Sequence, residues 1–389
     1  MLYLKQRLTV TSEQTTAMNE AGIPVDVPSS LRISTPGRIC LFGEHQDYLH
    51  LPVIPCAISL RIAVEGAYRS DLRVLLDLPD IHSREEFSLE GVLEYHIERA
   101  YFRSTVNVLR RAGFTFSRGF DCTVSGKIPI NSGTSSSSAL IIGWVNFLAR
   151  MSDQHRGLAS GDCARLAHAA EVLEFKEPGG MMDHYSTAYG GVIAIEFFPE
   201  VRVERLEAPL GTFVLGDSGE PKDTKGILAR VKSQVLATSE RLERKFPRFS
   251  LQTVCVEDLE QYRDELTGEQ YPLLEGTLRN RDITRRARLM LGRKPMDHKE
   301  MGRLLTDHQT ILRDVLKIST PKIDRMIDAA MTAGAYGGKI NGSGGGGCMF
   351  VYAPEHPETV ACAIEQAGGK AYIISVDSGT RVEATELAG

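Results

Sequence analysis

At 389 residues, with 42% hydrophobic and 24% charged side chains, the chain has apolar material for sizeable cores and the length of two domains. Its formal net charge of −5 gives no basic excess, which removes nucleic acid as an expected partner. Seven cysteines, odd in number and without a CxxC pair, exclude a disulfide framework or a zinc ribbon. No apolar run approaches the ~20 residues of a membrane span, and Met1 to Arg7 lacks the apolar core of a signal peptide, so no membrane association and a cytoplasmic location are expected.

In chain order, residues 1–30 read as a polar extension. An apolar, strand-like run through Ile39, Leu41 and Phe42 ends at Gly43, and Glu44, His45 and Asp47 follow at once. Carboxylates accept and imidazoles donate hydrogen bonds to neighbouring hydroxyls, which suits a polyhydroxylated ligand. Strands are predicted at 58–64, 73–78 and 120–124, with a helix over 94–112 that stops at Gly113. Residues 131–138 are small, among them Gly133, Thr134, Ser135, Ser136 and Ser137, and precede a helix at 139–150 that is apolar nearly all round and therefore buried. The serines read as helix-cap material, and the loop as a phosphate cradle where backbone N–H groups and the helix dipole meet an anion. No Walker A pattern occurs.

A helix over 162–174 carries Glu171, which by itself reads equally as a solvated surface acid. Asp183 follows Gly179, Gly180, Met181 and Met182, and is either a helix cap or a catalytic group. Strands follow at 192–198 and 212–215, then helices at 226–243, 256–266, 283–291, 298–317 and 321–333. The glycine loop 342–347 runs into a strand, with a closing helix at 357–367 and a strand at 371–376. Because the loop precedes its strand, the dinucleotide-binding context is missing; its glycines point to close approach to a ligand or to another segment. Arg281, Arg285, Arg286 and Arg288 alternate with acids and read as a solvated helix face, His308 as a satisfied core histidine and the cysteines as small buried residues. The whole reads as α+β, with an extension (1–30), an N-terminal domain (31–205) and a C-terminal domain (206–389) sharing a cleft.

The three loop segments, in order, resemble the three motifs of the GHMP small-molecule kinases, and the first resembles the galactokinase motif. Pro36-Gly37-Arg38, Gly43-Glu44-His45 and Asp47-Tyr48 match the first, Pro129 with Gly133 to Ser137 the second, and Asn341 to Cys348 the third. The resemblance implies a two-domain GHMP kinase-like fold with its active site in the cleft. It also implies ATP and Mg²⁺ as cofactors, and transfer of the γ-phosphate to the anomeric C1 hydroxyl of a monosaccharide. Asp183 matches the catalytic aspartate and Arg38 the arginine beside the reacting hydroxyl, while Glu44, His45, Asp47 and Gly180 match sugar contacts. Gly133, Thr134, Ser135, Ser136, Ser137, Gly344 and Gly345 match the nucleotide-binding loops, and Ser137 and Glu171 the metal ligands. The chain departs from galactokinases at Cys40 (usually asparagine), at Leu49-His50-Leu51 and at His184 (usually glutamine). Residues 217–225 and the pair Lys339 and Asn341 are more similar to mevalonate kinases. Galactose is the first candidate; another C1-phosphorylated sugar, mevalonate, and a non-catalytic sugar sensor stay open.

Overall fold

The computed structural model describes residues 29–221 and 224–383, so the extension at 1–28 and Lys222 and Asp223 of the 217–225 segment lie outside the described residues. The first half runs β1 (Ser30–Phe42), β2 (Ile54–Tyr68), β3 (Arg73–Leu78), β4 (Ser83–Ser88), α1 (Tyr101–Arg111) and β5 (Phe120–Gly126). It continues through α2 (Ser136–Met151), α3 (Ser160–His168), α4 (Met182–Tyr189), β6 (Ile193–Glu196) and β7 (Arg202–Arg205). The second half supplies β8 (Phe213–Asp217), α5 (Thr224–Lys245), α6 (Gln270–Leu291), α7 (His298–Thr310) and α8 (Pro321–Thr332). It closes with β9 (Gly337–Ile340), β10 (Cys348–Tyr352), α9 (Pro357–Gln366), β11 (Lys370–Ile374) and β12 (Arg381–Glu383).

Two larger sheets form, one in the order β12-β1-β2-β5-β3-β4 and one in the order β11-β8-β10-β9. All pairings in them are antiparallel except β3 with β5. The helix α2 is buried on nearly every side, as its composition predicts, with Trp144 stacked on Phe147 and edge-on to Phe102. A second core joins the sheets: Ile39, Leu41 and Phe42 of β1 pack with Phe213, Leu215 and Phe350 of β8 and β10. The strand that delivers the first motif is therefore held by apolar contact with both sheets. No helix among the described residues is long and apolar enough to cross a membrane.

Several expectations need correction. The stretch 94–112 turns helical only at Tyr101, and 256–266 is a 3₁₀ segment, Glu257–Glu265. The helix predicted at 283–291 starts at Gln270, because Pro272 falls in the first turn, where no N–H is required. Arg281 is not solvated: it is buried and donates to the Leu251 carbonyl and to Asp282. His308 is in the core as expected, stacked on Phe42, but it is not satisfied: neither ring nitrogen makes a hydrogen bond. Cys255 and Cys362 are exposed, and the other cysteines are buried.

Candidate active site

The end of β1 builds the site. Gly43 has φ of +90°, and a Cβ there would lie 2.7 Å from the Pro52 carbonyl, so only glycine lets the chain turn out of the sheet at this point. Before the turn, Arg38 reaches α4. Its Nε donates to Oδ1 of Asp183 (2.8 Å), its Nη2 to Oδ2 (2.8 Å), and its Nη1 to the Gly133 carbonyl. Asp183 lies in the first turn of α4, where the helix dipole favours a carboxylate. Burial pushes its carboxyl up, but the Arg38 guanidinium and the Ser135 hydroxyl (2.7 Å from Oδ2) outweigh that and hold it below the ordinary value. Ser135 reads in the sequence as cap material. It occupies the N-cap position of α2 with φ of +62° and makes no side-chain cap bond, its hydroxyl going to Asp183 instead.

Asp47 follows the same turn. Its carboxylate accepts the backbone N–H of Tyr48 (2.9 Å) and of Met182 (3.2 Å). Burial first, and then the charge of Asp183, push its carboxyl up to about 6. Gly180 is what lets it approach: a Cβ on Gly180 would sit 1.8 Å from Asp47 Oδ2. Glu44 is buried and its Oε2 accepts from Lys339 Nζ (2.8 Å), which also donates to the carbonyls of Cys40 (2.9 Å) and Ile340 (2.8 Å). His45 lines the cavity, yet both its ring nitrogens are engaged within the chain. Burial lowers its pKa, so Nε2–H donates to the Ser343 carbonyl (3.0 Å) and Nδ1 accepts from the Tyr48 hydroxyl (2.8 Å). In this structure it ties the first motif to the third and presents no unengaged nitrogen.

The second and third motifs meet backbone to backbone. Gly133 (φ +92°) could not carry a Cβ, which would lie 2.5 Å from the Asn341 carbonyl, and the Cys348 N–H donates to Ser132 O (2.7 Å). Asn341 bridges all three motifs: its Oδ1 accepts from Cys40 N (2.8 Å) and its Nδ2 donates to Gly133 O (2.8 Å). Arg38, Glu44, Asp47, Gly180 and Asp183 line one cavity of about 410 Å³ together with Gly133, Ser135, Ser136, Ser137 and Glu171. Thr134 is buried behind that wall, its hydroxyl turned to Ser132 and Pro129. Gly344 and Gly345 pack on Ile318, and it is Gly342 and Ser343 that reach the cavity. Arg99, bound to Glu177, and Tyr101 also line it and carried no sequence signal.

Glu171 is not a surface acid. It is buried on a π-helical turn (Ala169–Leu173) after α3, and its Oε2 meets His184 Nε2 at 2.7 Å. Burial raises its pKa, but His184 and the hydroxyls of Ser137 and Ser138 reverse the shift and hold it below the ordinary value. No group of three or more His, Cys, Asp or Glu gathers into a metal site among the described residues. One carboxylate beside one serine hydroxyl fits Mg²⁺, which keeps several waters and completes its shell with phosphate oxygens.

The GHMP kinases N terminal domain matches residues 100–191, the GHMP kinases C terminal domain 289–370, and the galactokinase galactose-binding signature 26–68. The chain belongs to the GHMP kinases. As such it is a galactokinase-like phosphotransferase with an alcohol group as acceptor, of a family that draws its phosphate from ATP. This GHMP kinase is 28% identical over 360 residues to mevalonate kinase of Thermococcus onnurineus, covering 90% of this chain and 97% of the relative. It is 27% identical over 367 residues to human galactokinase, covering 90% and 92%. The crystal structure of Lactococcus lactis galactokinase complexed with galactose has the same fold, with a TM-score of 0.80 at 21% identity over 92% of this chain and 96% of that one.

Proposed function

We propose that this GHMP kinase is an ATP- and Mg²⁺-dependent sugar kinase that phosphorylates the anomeric C1 hydroxyl of a monosaccharide, galactose being the first candidate. The observation that carries the reading is Asp47, a second carboxylate held against Gly180 and the Met182 N–H beside Asp183, inside the segment that matches the galactose-binding signature. Two acids side by side suit a ligand rich in hydroxyl donors. They would repel the carboxylate of mevalonate, and the cations that line the cavity are committed: Arg38 to Asp183 and Arg99 to Glu177. Mevalonate remains the second reading, favoured by the archaeal relative and by the Lys339 and Asn341 pair. A sensor without turnover is disfavoured because Arg38, Asp183, Ser137 and Glu171 converge on one cavity.

In this reading Asp183 accepts a hydrogen bond from the attacking hydroxyl and aims its oxygen. Held ionised by Arg38, it is a weak base in the ground state, so it takes the proton as the new O–P bond forms; a loose phosphoryl transition state asks for little earlier removal. Asp47 accepts from a neighbouring hydroxyl and fixes the ring, while Glu44, held by Lys339, braces the turn behind it. The loop 133–137 and the N-terminus of α2 face the phosphates with N–H groups and the positive end of the dipole. Ser137 and Glu171 would hold Mg²⁺, which supplies positive charge to the β- and γ-phosphates. The reading retains the domain division near 205.

The deciding experiment is ADP release with MgATP against a panel of free sugars plus mevalonate, with the phosphorylated carbon located by NMR. A C1-phosphate of galactose or of one other sugar supports the reading. Phosphomevalonate replaces it with the second one, and sugar binding without any turnover revives the sensor.

A further inference from the structure

We propose that His184 is a positioning residue for Glu171, donating from Nε2 so that the carboxylate keeps one oxygen turned to the divalent metal. The proposal rests on the metal-holding role given to Glu171 above. A carboxylate oxygen can only accept, so the 2.7 Å contact fixes the proton of His184 on Nε2. The ring is buried, and its Nδ1 has no hydrogen-bond partner. Burying Nδ1 unpaired carries a desolvation cost, and the contact of Nε2 with Glu171 is the interaction that the ring makes against it. The other close ring is His168, edge-on at 5.3 Å, and burial pushes its pKa down to about 3, so it contributes no charge to the cluster. The directional contact of His184 is thus spent wholly on Glu171.

The local helix geometry makes this economical. Successive residues on a helix point about 100° apart, so the first turn of α4 sends Asp183 to Arg38 and Ser135, and its neighbour His184 to Glu171. One turn orients the carboxylate that meets the acceptor hydroxyl and also the one that meets the metal. Glu171 needs such support because it sits on a π-helical turn, where the regular hydrogen-bond ladder is interrupted. Outer partners of this kind orient metal ligands, and their loss typically weakens metal binding by about 10–100-fold.

The test is Mn²⁺ titration by electron paramagnetic resonance in the presence of ADP, on the full chain and its variants, with sugar KM and Tm measured alongside. His184→Ala should weaken Mn²⁺ in the ternary complex by about 10–100-fold with little change in sugar KM. His184→Gln, whose amide N–H has similar reach, should restore the affinity. Unchanged Mn²⁺ affinity in His184→Ala, with only a lower Tm, overturns the proposal, and so does equal loss in the alanine and glutamine variants. If His184→Ala does not fold, His184→Asn takes its place: too short to reach Glu171, it should bind Mn²⁺ more weakly than His184→Gln, and equal binding counts against the proposal. Glu171→Gln serves as the control for the premise, since undiminished Mn²⁺ binding there removes the metal role of Glu171 itself. The Mn²⁺ and Tm readouts do not depend on which sugar is the acceptor.

Discussion

Two cation–carboxylate pairs converge on the same end of β1 and differ in what they leave free. In the first, Arg38 is buried but the Asp183 side chain keeps 29% of its surface open to the cavity. In the second, Lys339 and Glu44 are sealed at 0% and 3%, and every ammonium proton has an acceptor. A buried pair gives little net stability over an apolar one but is costly to break, so the sealed pair acts as a brace that fixes the turn and the third motif. The open pair has the same chemistry with one face uncovered, and there an acceptor hydroxyl can enter. On the proposed function, exposure of one carboxylate is what separates a support from a reacting group.

The largest effect should come from breaking the open pair at its exposed end. Asp183→Asn should lower kcat by about 10²–10⁴-fold with folding and ATP binding intact, read by coupled ADP release and nucleotide titration; near-normal turnover would falsify its role. Breaking the sealed pair should strike stability first. Lys339→Met strands Glu44 and should cost about 3–5 kcal/mol in denaturant unfolding, while Lys339→Met with Glu44→Gln should recover part of that loss. If the single variant is as stable as the unmodified chain, the brace is not one.

Smaller changes probe the second acid beside the open pair. Gly180→Ala forces Asp47 aside and should raise the sugar KM on the order of 10–100-fold with the ATP KM unmoved; parallel shifts in both would mean that Asp47 does not face the sugar. The smallest effect is one of pH. Between the ordinary 3.8 and about 6, Asp47 holds a proton in the folded chain that the unfolded chain has lost, so stability falls as pH rises through that window. Asp47→Asn removes this term and should be more stabilising at pH 8 than at pH 5, by roughly 1 kcal/mol in thermal or denaturant unfolding. An equal effect at both pH values would contradict the raised pKa.

The meeting of the three motifs was legible in the sequence because glycine requirements are local. Gly133, Gly342 and Gly347 each forbid a Cβ where another loop's backbone lies within 3 Å. The reach of Arg38 to Asp183 and the burial of α2 were legible through motif and pattern. What was not legible depends on partners far along the chain. Ser135 reads as a cap until Asp183, 48 residues on, claims its hydroxyl. Lys339 reads as one more lysine until Glu44, 295 residues earlier, is placed against it. Glu171 reads equally as a solvated acid on a regular helix, and the π-helical turn and His184 that hold it inward leave no local signal. The length of β1 was hidden by Pro36 and Gly37, which punctuate most strands but here mark a register shift between Pro36 and Arg38.

The last described strand, β12, pairs with β1, and Arg32 meets Glu383 across 351 residues of chain. During synthesis, at ~5–20 residues per second, the sheet that carries the first motif waits on the order of tens of seconds for its final edge. Through that interval β1 offers the growing polypeptide an unpaired row of N–H and C=O groups, the kind of edge that recruits stray strands. Arrival of β12 pairs the stretch Arg32 to Ser34, so a nascent chain cut short before Arg381 would leave the ribosome with that part of its first sheet open.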